Sequence, residues 1–129
     1  MIEAYVNLSS SITIMECSRN LLTNVYEDER VIEIAVEIPG VTKRGITIEV
    51  RDNVLFLVVE KREGREIKNR VCGLREQEYG IFTRSFHITD NVFTCKKFNC
   101  ARYKDGVLTV TLFKTSIKGT ETAYNINLL

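Results

Sequence analysis

Residues 101–110 read ARYKDGVLTV, and they contain a strong turn signal between two segments that alternate apolar and polar side chains. Asp105-Gly106 is a frequent hairpin turn, because glycine accepts the positive φ that such turns need. The stretch therefore predicts a β-hairpin with strands at Phe98–Tyr103 and Val107–Leu112, joined by Lys104-Asp105-Gly106.

The same period of two extends through most of the chain. Residues 30–38, RVIEIAVEI, alternate aliphatic with other side chains, which is typical of a half-buried strand that Pro39-Gly40 then ends. Residues 45–51, GITIEVR, alternate again before a turn at Asp52-Asn53. The side chains predicted to face inward are Ile32, Ile34, Val36, Ile38, Ile46, Ile48 and Val50.

Two further strands complete the pattern. Residues 54–60, VLFLVVE, are apolar on both faces, which predicts a central strand or one packed on two sides. Residues 81–88, IFTRSFHI, alternate, and residues 89–97 are predicted to be irregular. Seven or eight short strands without a convincing helix predict an all-β, immunoglobulin-like antiparallel β-sandwich. Residues 9–20, SSSITIMECSRN, lie outside this pattern and predict either a short helix or a flexible arm.

Composition excludes several classes of function. The 129 residues suffice for one domain with its own core. A net charge of +1 without a basic face argues against nucleic-acid binding. No apolar run approaches the ~18 residues that span a bilayer. The start MIEAYVNLSS lacks the features of a signal peptide, so we expect a cytoplasmic protein without membrane association.

The residue types that carry catalysis or bind metals form no convincing group. The cysteines lack a CxxC pair and metal-ligand spacing, so free thiols are expected, with disulfides or a redox role as the alternative. The cysteines are Cys17, Cys72, Cys95 and Cys100. His87 is the only histidine, and no GxxxxGK[ST] loop is present. We therefore predict no enzyme, no cofactor, and no catalytic or metal residues.

Several motifs, in their order along the chain, resemble the small heat shock protein family, whose members contain an α-crystallin domain. The opening stretch matches the family's Ala, three residues, Asp or Asn, then Gly-Val-Leu, here Ala101 and Asp105–Leu108. Glu37–Val41 matches its Pro-Gly-Val turn, and Asp52–Leu55 the next turn and strand. Glu76 followed by Tyr79–Phe86 resembles its Glu-Arg-x-Tyr-Gly-x-Phe-x-Arg-x-Phe, with Gln77 in place of the usual arginine. The resemblance implies an N-terminal arm at 1–20, an α-crystallin domain at 21–114 and a C-terminal tail at 115–129.

The tail carries a further match. Ile126-Asn127-Leu128 resembles the family's Ile-x-Ile motif, in which two apolar side chains point the same way and enter a groove on a neighbouring subunit. The groove residues that the resemblance implies are Ile46, Ile48, Val50, Cys100 and Arg102. The alternatives are a frayed tail or one that folds back on its own domain, with the β-strand residues facing only the core.

The resemblance also implies a dimer. Residues 61–80 would carry a strand, Arg70–Arg75, that crosses to a second copy and adds to its sheet edge; the alternative is a mobile charged loop. Val71, Cys72, Leu74 and Glu76 are the expected interface residues of this segment. Arg84 matches an interface arginine, and its carboxylate partner is expected among Glu76, Glu78, Asp105 or an acid of the other chain, unless it faces solvent.

The function that follows from the resemblance is an ATP-independent chaperone, a holdase, that binds partly unfolded client proteins under stress. Its partners would be client proteins and further copies of itself, in a homodimer or a larger homo-oligomer. The apolar arm residues expected to contact clients are Tyr5, Val6, Leu8, Ile12, Ile14 and Met15. The alternative is an interaction module or co-chaperone of the p23 and CS-domain type.

Overall fold

The structure is a computed structural model that describes residues 12–17, 21–64, 69–88, 92–93, 101–114 and 123–129. In these residues the chain forms ten β-strands and one 3₁₀ turn, Lys43–Gly45. The strands are β1 (Ile12–Cys17), β2 (Thr23–Glu27), β3 (Val31–Glu37), β4 (Ile46–Arg51), β5 (Val54–Lys61), β6 (Gly80–Ile88), β7 (Val92–Phe93), β8 (Ala101–Lys104), β9 (Val107–Lys114) and β10 (Ala123–Ile126).

The strands form two antiparallel sheets. The first sheet has the order β1-β6-β5-β4-β10, and the second has the order β2-β3-β9-β7, with β8 also paired to β9. The core lies between the two sheets. The predicted all-β sandwich is therefore confirmed.

Alternation places the predicted faces in the core. Ile32 and Val36 of β3 are fully buried, and Ile46, Ile48 and Val50 of β4 are at most 8% exposed. Burial of each such side chain contributes about 1.5–3 kcal/mol. Their buried neighbours in the other central strands are Leu55, Leu57, Val59, Phe86, Leu108, Val110 and Leu112.

Two tight turns fix the register of the hairpins. Asp52 and Asn53 have φ of 49° and 65°, and Asp105 and Gly106 have φ of 52° and 77°. Positive φ at both central residues is the type I′ geometry, which matches the twist of the flanking strands. Both turns predicted from the sequence are thus confirmed. The second hairpin is also tied to β3, because the Ile38 N–H donates to the carbonyl of Gly106 at 2.7 Å.

Strand β5 is central, as predicted, and its outward-facing Phe56 and Val58 are 39% and 37% exposed. Two other elements differ from the predictions. Residues Ile12–Cys17 form neither a helix nor a flexible arm: they form β1, which pairs with the outer edge of β6. Part of the segment predicted to be irregular, Val92–Phe93, pairs with the end of β9.

Arg84 of β6 connects the first sheet to the start of β2 in the second. Its side chain is 7% exposed, and its Nη1 donates to the carbonyl of Leu21 and, at 2.9 Å, to Thr23 Oγ1. The Thr23 hydroxyl donates to the same carbonyl of Leu21 at 2.9 Å, so the guanidinium, the hydroxyl and the carbonyl form one hydrogen-bonded network. The guanidinium also lies 5.5 Å from the ring centre of Phe86.

We expect Arg84→Ala to lower the free energy of unfolding by about 1.5–3 kcal/mol, because hydrogen bonds to a charged group contribute this much. Arg84→Met should lose less, since an apolar side chain fills the space without a buried charge. Urea unfolding at one fixed protein concentration measures the change. Arg30→Ala, which removes an exposed arginine, is the control and should change stability by less than about 0.5 kcal/mol. Equal unfolding midpoints for the two alanine variants would contradict this role of Arg84.

Candidate functional site

The C-terminal residues occupy a groove between the two sheets. Strand β10 pairs antiparallel with β4, with Ile126 opposite Ile48. Two residues later, Leu128 forms a parallel bridge with Ala101 of β8. Residues 123–129 therefore pass from the edge of the first sheet to the edge of the second. We call the surface between β4 and β8 that they cover the tail groove.

The side chains of the motif contribute unequally to this contact. Ile126 is 9% exposed and belongs to the core cluster, whereas Leu128 is half-buried and packs against that cluster. Because residues opposite each other in an antiparallel pair share a face, Ile126 points inward beside Ile48. The two apolar side chains thus close an opening in the sandwich that the sheets alone leave uncovered.

The predicted groove residues lie in different places. Ile48 and Val50 of β4 lie opposite β10 and also belong to the core cluster. Ile46 belongs to the core cluster as well, but the pairing of β4 with β10 ends at Ile48. The role of these residues in a groove between subunits stays a prediction. Arg102 has the parity opposite to that of Ala101 and is exposed, so the structure places Ala101, rather than Arg102, against the tail. Cys100 lies outside the described residues.

Ala101 is the groove residue that the sequence interpretation missed. Its side chain is 2% exposed, and its main chain forms the β-bridge with Leu128. The signal for it was present, since Ala101 is the alanine of the family motif, but the motif does not state which face of the strand it occupies.

The structure describes one chain, and the tail docks within that chain. The same surfaces that meet here are the ones predicted to meet between subunits. The exchange of tails between subunits stays a prediction.

The segment expected to carry the exchanged strand is irregular and exposed. Within residues 62–79, which we call the exchange loop, Val71 is 95% and Leu74 76% exposed. Local contacts hold parts of it: the Arg75 Nη1 lies 3.4 Å from Glu63 Oε2. The charge of Glu63 and this hydrogen bond hold the pKa of Arg75 above its usual value. The strand at Arg70–Arg75 is not formed within one chain, and its transfer to a second copy stays a prediction.

One strand edge of the sandwich has no strand partner among the described residues. Within the described ranges β2 pairs with β3 alone, and a strand edge of this kind can accept a further strand. Leu22 is 54% and Tyr26 57% exposed along this edge. The structure thus contains an unpaired strand edge and an unpaired apolar segment in the same chain.

The structure gives the described hydrogen bonds of Arg84. Its guanidinium donates to the carbonyl of Leu21 and to Thr23 Oγ1, and its buried Nε has no hydrogen-bond partner among the described residues. Glu76 is exposed beside a cavity of about 300 Å³. A carboxylate partner for Arg84, from this chain or from a second one, stays a prediction.

The described part of the chain contains neither a cluster of metal ligands nor a membrane-spanning helix. There, no three side chains of His, Cys, Asp or Glu gather as metal ligands. Within the same ranges, no helix is long and apolar enough to cross a bilayer. Cys72 is an exposed free thiol that donates to the carbonyl of Leu74 at 3.3 Å.

Comparison with known proteins agrees with this geometry. A sequence model of the Hsp20/alpha crystallin family matches residues 24–127. Small heat shock protein C4 of Rickettsia felis is 32% identical over 92 residues, which are 71% of this chain and 55% of the relative. The 18 kDa heat shock protein of Clostridium acetobutylicum is 32% identical over 107 residues, or 81% of this chain and 68% of the relative. This chain thus spans about half of the first relative's length and about two thirds of the second's.

Solved structures show the same fold. Heat shock protein 16.0 from Schizosaccharomyces pombe superposes with a TM-score of 0.69 at 24% identity, over 84% of this chain and 83% of that one. A small heat-shock protein from Xylella fastidiosa gives 0.62 at 18% identity, over 78% of this chain and 91% of the other. The motifs, the two sheets and the family match agree, and this chain belongs to the Hsp20/alpha crystallin family.

Proposed function

We propose that this protein is an ATP-independent holdase, which binds partly unfolded proteins through apolar surface and keeps them from aggregating under stress. The observation that carries the proposal is the tail groove, an apolar opening of the sandwich that a separable segment of the chain covers. Membership in the Hsp20/alpha crystallin family supports a chaperone role. The proposal involves no catalysis and no nucleotide.

The cover of the groove is weak compared with the core. Among the side chains that the structure describes, Ile126 and Leu128 are its apolar contacts, and burial of two such side chains contributes about 3–6 kcal/mol before the cost of ordering the tail. The tail can therefore leave the groove while the two sheets remain packed. Its departure exposes the inward side of Ile48 and the unpaired edge of β4.

An unfolded client offers the chemistry that fits this opening. A strand edge accepts an extended segment through main-chain hydrogen bonds, which depend little on sequence. Apolar side chains at alternate positions of the segment would occupy the places of Ile126 and Leu128. Segments of this kind are exposed when proteins unfold and are buried in folded ones, which accounts for selection of non-native clients.

We further propose that the protein assembles with copies of itself. The exchange loop of one subunit would pair with the open edge of β2 in a second, and the tails would link such dimers into larger homo-oligomers. Each contact is weak, but contacts repeated within one assembly gain strength through effective concentration. We also propose a cytoplasmic location, which the exposed free thiol of Cys72 fits.

Holdase activity predicts that the full chain suppresses the heat-induced aggregation of a labile test enzyme without any nucleotide. Light scattering of the heated enzyme, with the protein at equal subunit concentration, measures the effect. Lysozyme at the same mass concentration is the control for non-specific protection. Unchanged scattering, or protection that appears only when ATP is added, would contradict the proposal and favour the interaction module.

Exchange of tails predicts that the double substitution Ile126→Ser/Leu128→Ser reduces assemblies larger than a dimer to dimers. The variant loses most of the roughly 3–6 kcal/mol of apolar burial at each groove. Size-exclusion chromatography with light scattering measures the mass. Asn127→Ser changes the exposed residue between the two and should leave the assembly intact. If the unsubstituted chain is itself no larger than a dimer, the tails link no dimers and this part of the proposal is wrong.

Exchange of the loop predicts that Leu74→Asp weakens dimerisation by about tenfold to a hundredfold, because a charge replaces an apolar side chain that the dimer buries. Sedimentation equilibrium over a range of concentrations measures the dissociation constant. The control is Asn69→Asp, which adds the same charge to the exchange loop outside Arg70–Arg75. Equal dissociation constants for the two variants would show that the segment at 70–75 does not form the interface.

A further inference from the structure

We propose that Lys43 and the backbone of Ala101 together form a third anchor of the tail groove, which binds the peptide groups of the residue after the second apolar side chain. The occupant is residues 123–129 of this chain. The Nζ of Lys43 donates to the main-chain oxygen of Leu129 at 2.8 Å. The N–H of Leu129 donates to the carbonyl of Ala101 at 3.0 Å. Both polar groups of one peptide residue are thus bound, from opposite sides of the groove.

The position of Lys43 is set by the turn that carries it. Lys43–Gly45 forms a 3₁₀ turn in which the Gly45 N–H donates to the carbonyl of Thr42 at 2.9 Å. The turn lies so close to β5 that a Cβ on Gly45 would stand 2.5 Å from the carbonyl oxygen of Glu60. Because the turn cannot move away from β5 without losing this packing, the backbone of Lys43 is fixed just before the start of β4.

The anchor binds backbone and not a side chain. Leu129 is 49% exposed, so its isobutyl group contributes little to the contact that its peptide groups make. An ammonium group only donates hydrogen bonds, so it requires an acceptor oxygen at this place. The groove therefore accepts two apolar residues separated by one residue of any type. The residue that follows them can also be of any type, provided that its main-chain N–H reaches Ala101 and its main-chain oxygen reaches Lys43.

The contribution of Lys43 is separable from that of the apolar side chains. Ile126 and Leu128 are held by burial, which salt and charge hardly affect, whereas a hydrogen bond from an ammonium group is strengthened by its charge. The inference concerns how residues 123–129 are held and does not depend on holdase activity. If tails pass between subunits as proposed above, the same groups would act across the interface.

The test is hydrogen exchange of individual backbone amides in the full chain, followed by NMR. Lys43→Gln should raise the exchange rate of the Leu129 amide, relative to its rate in an unstructured chain, by about threefold to tenfold, which corresponds to the loss of one exposed hydrogen bond of typical net strength. Lys43→Arg keeps a charged donor and should restore at least part of the protection. Arg44→Gln removes the same charge from the next residue of the same turn and should leave the Leu129 amide unchanged.

The amides of Ile34 and Val110, in the core ladder between β3 and β9, are the internal reference. They should exchange at the same rate in all four proteins. The proposal is overturned if Lys43→Gln and Arg44→Gln affect the Leu129 amide equally. It is also overturned if Lys43→Gln accelerates the reference amides as much as the tail, since Lys43 would then stabilise the whole fold. If the unsubstituted chain lacks holdase activity while the Leu129 amide responds to the substitutions as expected, the proposed function is wrong and this anchor is not.

Discussion

The strand edges are the constraint on which the rest of this sandwich depends, because the N–H and C=O groups along an edge need a partner from outside the central strands. Strand β1 pairs with the outer edge of β6, and β10 pairs with the outer edge of β4. The outer edge of β2 is open among the described residues, where it presents exposed Leu22 and Tyr26. An unpaired edge accepts other strands readily, so the proposed assembly and client binding both depend on such edges.

The tail can leave the edge of β4 without loss of the fold, because the core is stabilised by many more buried side chains than the tail is. The central strands β3, β5 and β9 contribute fully buried side chains, and Arg84 additionally joins β6 to the backbone before β2. The tail contributes Ile126, half-buried Leu128 and a few main-chain hydrogen bonds. Local opening free energies follow the amount of buried surface, so the tail separates long before the sheets do.

The parts of the fold that the sequence predicted are those that local patterns determine. Alternation in β3 and β4 fixed their buried faces, and Asp105-Gly106 fixed a turn, because these features depend on neighbouring residues alone. Strand β1 was missed since its partner edge on β6 lies about 70 residues away in sequence. At the site, Ala101 was missed because the face of β8 that lines the groove follows from its register with β9. The hydrogen bonds described for Arg84 include one to a backbone carbonyl, which no residue type reveals.

The location of the tail follows from competition among equivalent contacts. Residues 115–122 join β9 to β10, and eight residues extend at most about 26–29 Å. A groove offers the same side-chain and backbone contacts to its own tail and to that of a neighbour, so the choice depends on effective concentration. Dilution then moves a tail from a neighbouring groove to its own, and does not leave the groove empty. In the proposed holdase mechanism a client would therefore have to displace a tail under either condition, and its advantage would be the longer extended segment that it can add to the edge of β4.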